Sequence, residues 1–140
     1  MSTLHKVNTS WVEGLLFDSL INNEHHVILD AKPESGGSNK GPNPKPLLLT
    51  SLAGCTGMDV VALLNKMRVN FSDFTIDVSA ELGDEHPKMY QKIHLIYNIR
   101  MDEADHDKMQ KAVDLSQDKY CGVSAMLKKV CPVTWEIKYR

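Results

Sequence analysis

The sequence predicts an α+β fold in which antiparallel sheets surround one long apolar helix, in the order βββ-α-ββ-αα-β. Three observations point to it. Apolar and polar residues alternate with a period of two near the start, from Phe74 to Arg100, and again at the end. A leucine-rich run from about Lys45 to Arg68 has the three-and-four spacing of a helix. Before that run, Ala31 to Pro46 is dense in Gly, Pro, Ser and Asn, which propagate neither a helix nor a strand.

The elements follow in order. Val7, Thr9 and Trp11 alternate with polar neighbours, Glu13-Gly14 marks a turn, and Leu15 to Ile21 forms a second strand. Asn22-Asn23-Glu24 then turns the chain into His26-Val27-Ile28-Leu29, which completes an antiparallel meander. The Pro33 to Pro44 stretch is long enough for a functional or connecting loop. In the helix that follows, Leu48, Leu52, Cys55, Asp59 and Leu63 share one face, and Leu49, Ala53, Val60 and Leu64 add a second apolar stripe. Apolar on most sides, such a helix belongs in the middle of a structure, and a dimer with paired helices is one way to bury it. Gly54 and Gly57 each cost about 1 kcal/mol relative to alanine in a helix, so a backbone or ligand is expected close to them.

Phe74, Ile76, Val78 and Ala80 point one way along the next strand, and Ile93, Leu95, Tyr97 and Ile99 form the inward set of its partner. Gly83 to Pro87 joins the two as a hairpin. A second helix starts near Asp102 or Glu103, with Met109, Ala112, Val113 and Ser116 on its inner face. A short third helix runs from about Cys121 to Val130, and Val133, Trp135 and Ile137 alternate in a closing strand.

The chain has 140 residues, the size of a single domain spanning 1–140. Sixteen Lys+Arg against eighteen Asp+Glu leave a net charge of −2, without the basic footprint of a nucleic-acid binder. No polybasic run marks a membrane surface. The apolar run from Leu47 to Met67 is broken by Thr50, Ser51, Thr56, Asp59 and Asn65, so it reads as a buried helix rather than a membrane span. Residues 1–8 lack the pattern of a signal peptide, and three cysteines are too few for a disulfide scaffold. A reducing, cytoplasmic setting is the expectation.

Chemistry is carried by the thiols. No Cys-x-x-Cys pair occurs, so neither a thioredoxin-like motif nor a zinc ribbon is supported. Cys121 opens the short third helix, where the helix dipole favours thiolate. Cys131, just before Pro132, reads as a structural thiol. The histidines at 5, 25, 26, 86, 94 and 106 are scattered and show no metal-ligand spacing, so no metal site and no cofactor are expected. Gly36-Gly37 lacks the spacing of a phosphate loop, and no serine sits in a nucleophile elbow.

Two segments together resemble the OsmC/Ohr superfamily. Pro44-Lys45-Pro46-Leu47-Leu48-Leu49-Thr50-Ser51-Leu52-Ala53-Gly54-Cys55-Thr56-Gly57-Met58-Asp59-Val60 is similar to that family's central-helix signature, and Lys119-Tyr120-Cys121-Gly122-Val123-Ser124-Ala125-Met126-Leu127 is similar to its second. The order of elements agrees over essentially the whole chain. The resemblance implies an intertwined homodimer and a thiol peroxidase for organic hydroperoxides. Cys55 would be the peroxidatic thiol and Cys121 the resolving thiol, with an external thiol reductant closing the cycle.

The match has two gaps. Lys45 and Pro46 stand where the family's peroxidases open the helix with an activating glutamate, and no arginine occurs before Arg68. Lysine cannot reproduce the two-pronged contact of a guanidinium. Asp59, one turn after Cys55, would oppose ionisation of that thiol if close and charged. Met58 and Asp59 are candidates to line the pocket. The alternative reading is therefore an OsmC-fold protein that binds a small apolar ligand, or senses peroxide, without turnover.

Overall fold

Period-two alternation in the first thirty residues becomes a three-stranded antiparallel sheet in the computed structural model, which describes residues 2–140. Its strands are β1 (Val7–Glu13), β2 (Leu16–Ile21) and β3 (His25–Leu29), in spatial order β1-β2-β3. Asn22 and Asn23, with φ of 52° and 57°, make the β2–β3 turn, closed by the Glu24 N–H on the Ile21 carbonyl at 3.0 Å. Asparagine tolerates this left-handed backbone, which matches the twist of a hairpin.

The loop after β3 folds around Asp30, which is 3% exposed. Its carboxylate accepts the backbone N–H groups of Ala31 at 2.7 Å, Ser38 at 3.3 Å and Lys40 at 3.1 Å. A 3₁₀ turn spans Pro33–Ser35. At Gly37 a Cβ would fall 2.0 Å from the Ala31 carbonyl oxygen, so only glycine fits this fold of the loop.

The backbone divides into two compact units, Met1–Leu48 and Leu49–Arg140, with the start of the long helix α1 (Pro46–Lys66) in the first. In the second unit, β4 (Ser72–Leu82) pairs antiparallel with β5 (Tyr90–Arg100). The closing strand β6 (Val133–Tyr139) runs parallel to β5, so this sheet is mixed rather than wholly antiparallel. Two helices separate β5 from β6 and return the chain to the end of the sheet where β5 began; a two-residue hairpin would have reversed it. Ile93, Leu95, Tyr97 and Ile99 are fully buried on one face of β5, as their phase predicts.

Helix α1 buries Leu52, Thr56, Val60 and Leu64, a single line of residues four apart. The expected stripes are thus shifted: Leu52 leads the buried line, Cys55 and Asp59 lie half-buried on its flank, and Leu48 is exposed. The helix is long and apolar enough in composition to cross a membrane. Its buried line instead joins the core of the second unit with β5 and α2 (His106–Leu115), whose Met109, Ala112 and Val113 are fully buried. At Gly57 a Cβ would come 3.2 Å from Ile76 Cδ1, so the close neighbour expected there is a β4 side chain. Gly54 faces open space. After α2 comes a π-helical turn, Ser116–Tyr120, then α3 (Gly122–Lys128).

The three N–H donors, that of Lys40 foremost, hold the Asp30 carboxyl below its ordinary value of 3.8. A folded value below the unfolded one means the stabilisation is complete above 3.8 and is lost as pH falls through the lower folded value. Acidification through that window should expose the Ser38 and Lys40 amides to hydrogen exchange. Asp30→Ala should do the same at neutral pH while the β5 amides stay protected. Unchanged protection in the variant would refute this role.

Candidate functional site

Cys55 and Asp59 are four residues apart on α1, so both project from the same side of the helix. Cys121 is the N-cap of α3 and is 3% exposed. The two sulfurs and one Asp59 carboxylate oxygen all lie within 4.8 Å of one another. All three cysteines are free thiols. The fold therefore gathers both signature cysteines at one place and adds a carboxylate.

The wide π turn prepares this place. Its i→i+5 bond, from the Cys121 N–H to the Ser116 carbonyl at 2.7 Å, lets the successive residues Ser116 and Gln117 both face inward. Ser116 Oγ donates to Asp59 Oδ2 at 2.9 Å and contacts Thr56 Oγ1 at 2.7 Å. Thr56 Oγ1 also meets Tyr97 OH at 2.7 Å. Gln117 Nε2 donates to Tyr97 OH at 2.7 Å, and Ser124 Oγ donates to Gln117 Oε1 at 2.5 Å. Among the described residues no buried side-chain N or O lacks a partner.

Counting protons assigns every direction. A carboxylate only accepts, so the single Ser116 proton goes to Asp59. Thr56 must then donate to Ser116, and Tyr97 to Thr56. With the two amide-anchored links, five hydrogen bonds run one way, from Ser124 through Gln117, Tyr97, Thr56 and Ser116 to Asp59. Bonds aligned in this manner polarise one another in a low-dielectric interior. The backbone N–H of Ser124 meanwhile donates to Cys121 Sγ at 3.4 Å, so one residue touches both ends of the site.

The electrostatics of Cys121 are set first by its burial. Burial pushes the Cys121 thiol up to about 11, with the neighbouring Cys55 and the charge of Asp59 acting in the same direction. The Ser124 N–H works against them and loses. The helix-start position thus does not make Cys121 a ready thiolate, because desolvation outweighs one N–H bond at a capping position. Tyr97 is likewise raised, chiefly by burial. Among the described residues no Arg or Lys side chain forms a hydrogen bond or ion pair with Cys55, Asp59 or Cys121. Lys40 is engaged with Glu13 at 3.1 Å, and Lys128 donates to the Gln117 carbonyl.

Of the other expected residues, Asp59 is at the site, whereas Met58 is 76% exposed and points away from the buried flank. Cys131 is buried in the core with its thiol raised by burial. His94 bonds Thr134 and Glu136 on the outer sheet face, and His26 bonds Asp18. Thr56, Tyr97, Gln117 and Ser124 were not anticipated as site residues. Tyr97 carried one signal: a phenol in phase with Ile93, Leu95 and Ile99 must find a partner for its hydroxyl.

The protein-family model described as OsmC-like protein matches residues 37–136. Protein YhfA of Escherichia coli (strain K12) is 30% identical over 129 residues, covering 92% of this chain and 93% of that protein. A hypothetical protein from Aquifex aeolicus VF5 has a solved structure with 29% identity and a TM-score of 0.81, covering 99% of both chains. An organic hydroperoxide resistance protein from Elizabethkingia anophelis shares the fold at 16% identity and a TM-score of 0.70, covering 100% of both chains. With the family model spanning the long helix, both signature cysteines and the mixed sheet, the chain belongs to the OsmC-like family.

Proposed function

We propose that this protein is a two-cysteine redox protein that reduces organic hydroperoxides at the expense of an external thiol. One observation carries the reading: Cys55, Cys121 and the Asp59 carboxylate converge within 4.8 Å. A disulfide holds its sulfurs at about 2.05 Å, so the pair must draw together as the bond forms.

The chemistry divides by burial. Cys55 is half-buried, whereas Cys121 is buried and held as a thiol, so Cys55 meets the peroxide first. Its thiolate attacks one peroxide oxygen; the S–O bond forms, the O–O bond breaks, and the departing alkoxide takes a proton to leave as an alcohol. The sulfur is now a sulfenic acid. Cys121 sulfur then attacks Cys55 sulfur, the S–S bond forms, and the S–O bond breaks with loss of water. The Cys121 proton leaves in that step: the Asp59 carboxylate within reach accepts it and passes it to the departing hydroxide, which leaves as that water. Two electrons from an external dithiol reduce the disulfide and restore both thiols.

Supporting the organic substrate class is the likeness to a protein named for organic hydroperoxide resistance. Apolar exposure at Trp11, Val12 and Met126 supports a homodimer, in which a second copy covers these surfaces. Cyclic use of free thiols fits a reducing compartment, the cytoplasm. Neither a resident cofactor nor a nucleic-acid or membrane partner is needed.

Treatment of the reduced protein with cumene hydroperoxide should yield a Cys55–Cys121 disulfide in peptide mass maps, with Cys131 still free. Cys55→Ser should abolish peroxide consumption, and Cys121→Ser should leave a Cys55 sulfenic acid that dimedone traps. No such disulfide and no thiol-dependent peroxide loss would overturn the reading. In Asp59→Asn, sulfenic acid should form no more slowly than in the wild type while disulfide formation slows by about 10²-fold, the lower end for a lost general base. Equal rates of disulfide formation would remove Asp59 from the mechanism.

A further inference from the structure

The same three side chains form a second kind of site, and we propose that the reduced protein binds one zinc ion through Cys55 Sγ, Cys121 Sγ and an Asp59 carboxylate oxygen. This goes beyond the peroxide reading and does not depend on it. Zinc sits about 2.3 Å from sulfur and about 2.0–2.2 Å from carboxylate oxygen in tetrahedral geometry, which places the ligand atoms roughly 3.5–3.8 Å apart. The observed triangle, with all three atoms within 4.8 Å, needs only a small contraction.

Three features distinguish the triangle from a chance grouping. The ligands come from two rigid elements, with Cys55 and Asp59 one turn apart on a 21-residue helix and Cys121 anchored at the N-cap of α3. Asp59 is held from behind by Ser116, itself fixed by Thr56 and Tyr97, which is the outer-shell support that metal-ligating carboxylates require. No lysine or arginine among the described residues bonds to the three groups, so the cluster of acidic donors has no cation of its own. Two sulfurs with one oxygen select a thiophilic ion over calcium or magnesium. Three protein ligands leave the fourth position open, as in zinc sites that take a water or small ligand rather than purely structural ones.

Metal and disulfide exclude each other, since both use the Cys55 and Cys121 sulfurs. The site therefore couples zinc occupancy to thiol oxidation: a two-electron oxidant that forms the disulfide, such as a hydroperoxide or oxidised glutathione, ejects the ion, and the ion shields the thiols.

Cobalt(II) is the probe, because thiolate ligation gives a near-ultraviolet charge-transfer band and tetrahedral coordination gives intense visible bands. Anaerobic titration of the reduced full-length protein should saturate at one equivalent with both features, and zinc should displace the cobalt. Cys121→Ser should halve the charge-transfer band per bound ion or abolish binding. Asp59→Asn should weaken binding at least 10-fold while the charge transfer per bound ion persists. Ser116→Ala, which removes no ligand, should weaken it by about 10-fold. Protein carrying the Cys55–Cys121 disulfide should not bind. Absence of a charge-transfer band in the reduced wild type, or an affinity unchanged in Asp59→Asn, would overturn the proposal. Cobalt binding without a peroxide-induced disulfide would leave the metal site standing and remove the peroxidase reading; a disulfide without cobalt binding would do the reverse.

Discussion

The buried hydrogen-bond chain that ends on Asp59 ties together the elements on which the site depends. Tyr97 brings β5, Thr56 and Asp59 bring α1, Ser116 and Gln117 bring the π turn, and Ser124 brings α3. Each hydroxyl in the chain has one proton, so its direction is set by the carboxylate at the end. Buried polar groups are costly when partly satisfied, and here every link has its partner. The same bonds therefore serve packing and chemistry: they fill polar positions in the core and fix where Asp59 and the Cys121 cap stand.

This arrangement places a carboxylate and two sulfurs together, with no cationic side chain among the described residues bonded to them. The consequence is visible at Cys121, whose thiol is raised by burial and by its neighbours. Peroxidases of this fold are expected to meet the problem with arginine and glutamate, neither of which this sequence supplies at the matching positions. Here the carboxylate comes from within α1 itself, one turn after Cys55. In the proposed cycle it would receive a proton as the disulfide forms, and in the proposed metal site it would hold a divalent ion beside the two reduced thiols.

Much of the frame was legible because its signals are local. Period-two alternation located β1, β4, β5 and β6, β-rich runs bounded by turn residues located β2 and β3, and the leucine spacing located α1 within a residue or two. Cys55 and Cys121 stood out through their flanking motifs, and Asp59 through its position one turn on. The parallel direction of β6 was not legible, since alternation has the same period in either direction. Asp30 reads as one acid before a polar loop; its role exists only after Ser38 and Lys40 fold back onto it. Thr56, Gln117 and Ser124 were hidden for a similar reason. Thr56 meets partners 41 and 60 residues away, and nothing in its neighbourhood announces them. The π turn that turns Gln117 inward has no sequence signature comparable to a cap or a proline.

If this hydrogen-bond chain holds Cys55 and Cys121 as one pair, cutting it in the middle weakens their disulfide. The most direct measurement is the equilibrium of the protein with reduced and oxidised glutathione, which gives the effective concentration of the two thiols toward each other. Tyr97→Phe keeps the ring and removes the hydroxyl that links Thr56 to Gln117. Leaving those buried partners unsatisfied costs roughly 1–3 kcal/mol. A single Cys55–Cys121 disulfide is expected in the wild type, with an effective concentration about 10-fold lower in Tyr97→Phe, equivalent to about 1.4 kcal/mol. An unchanged value, or a disulfide that recruits Cys131, would contradict it.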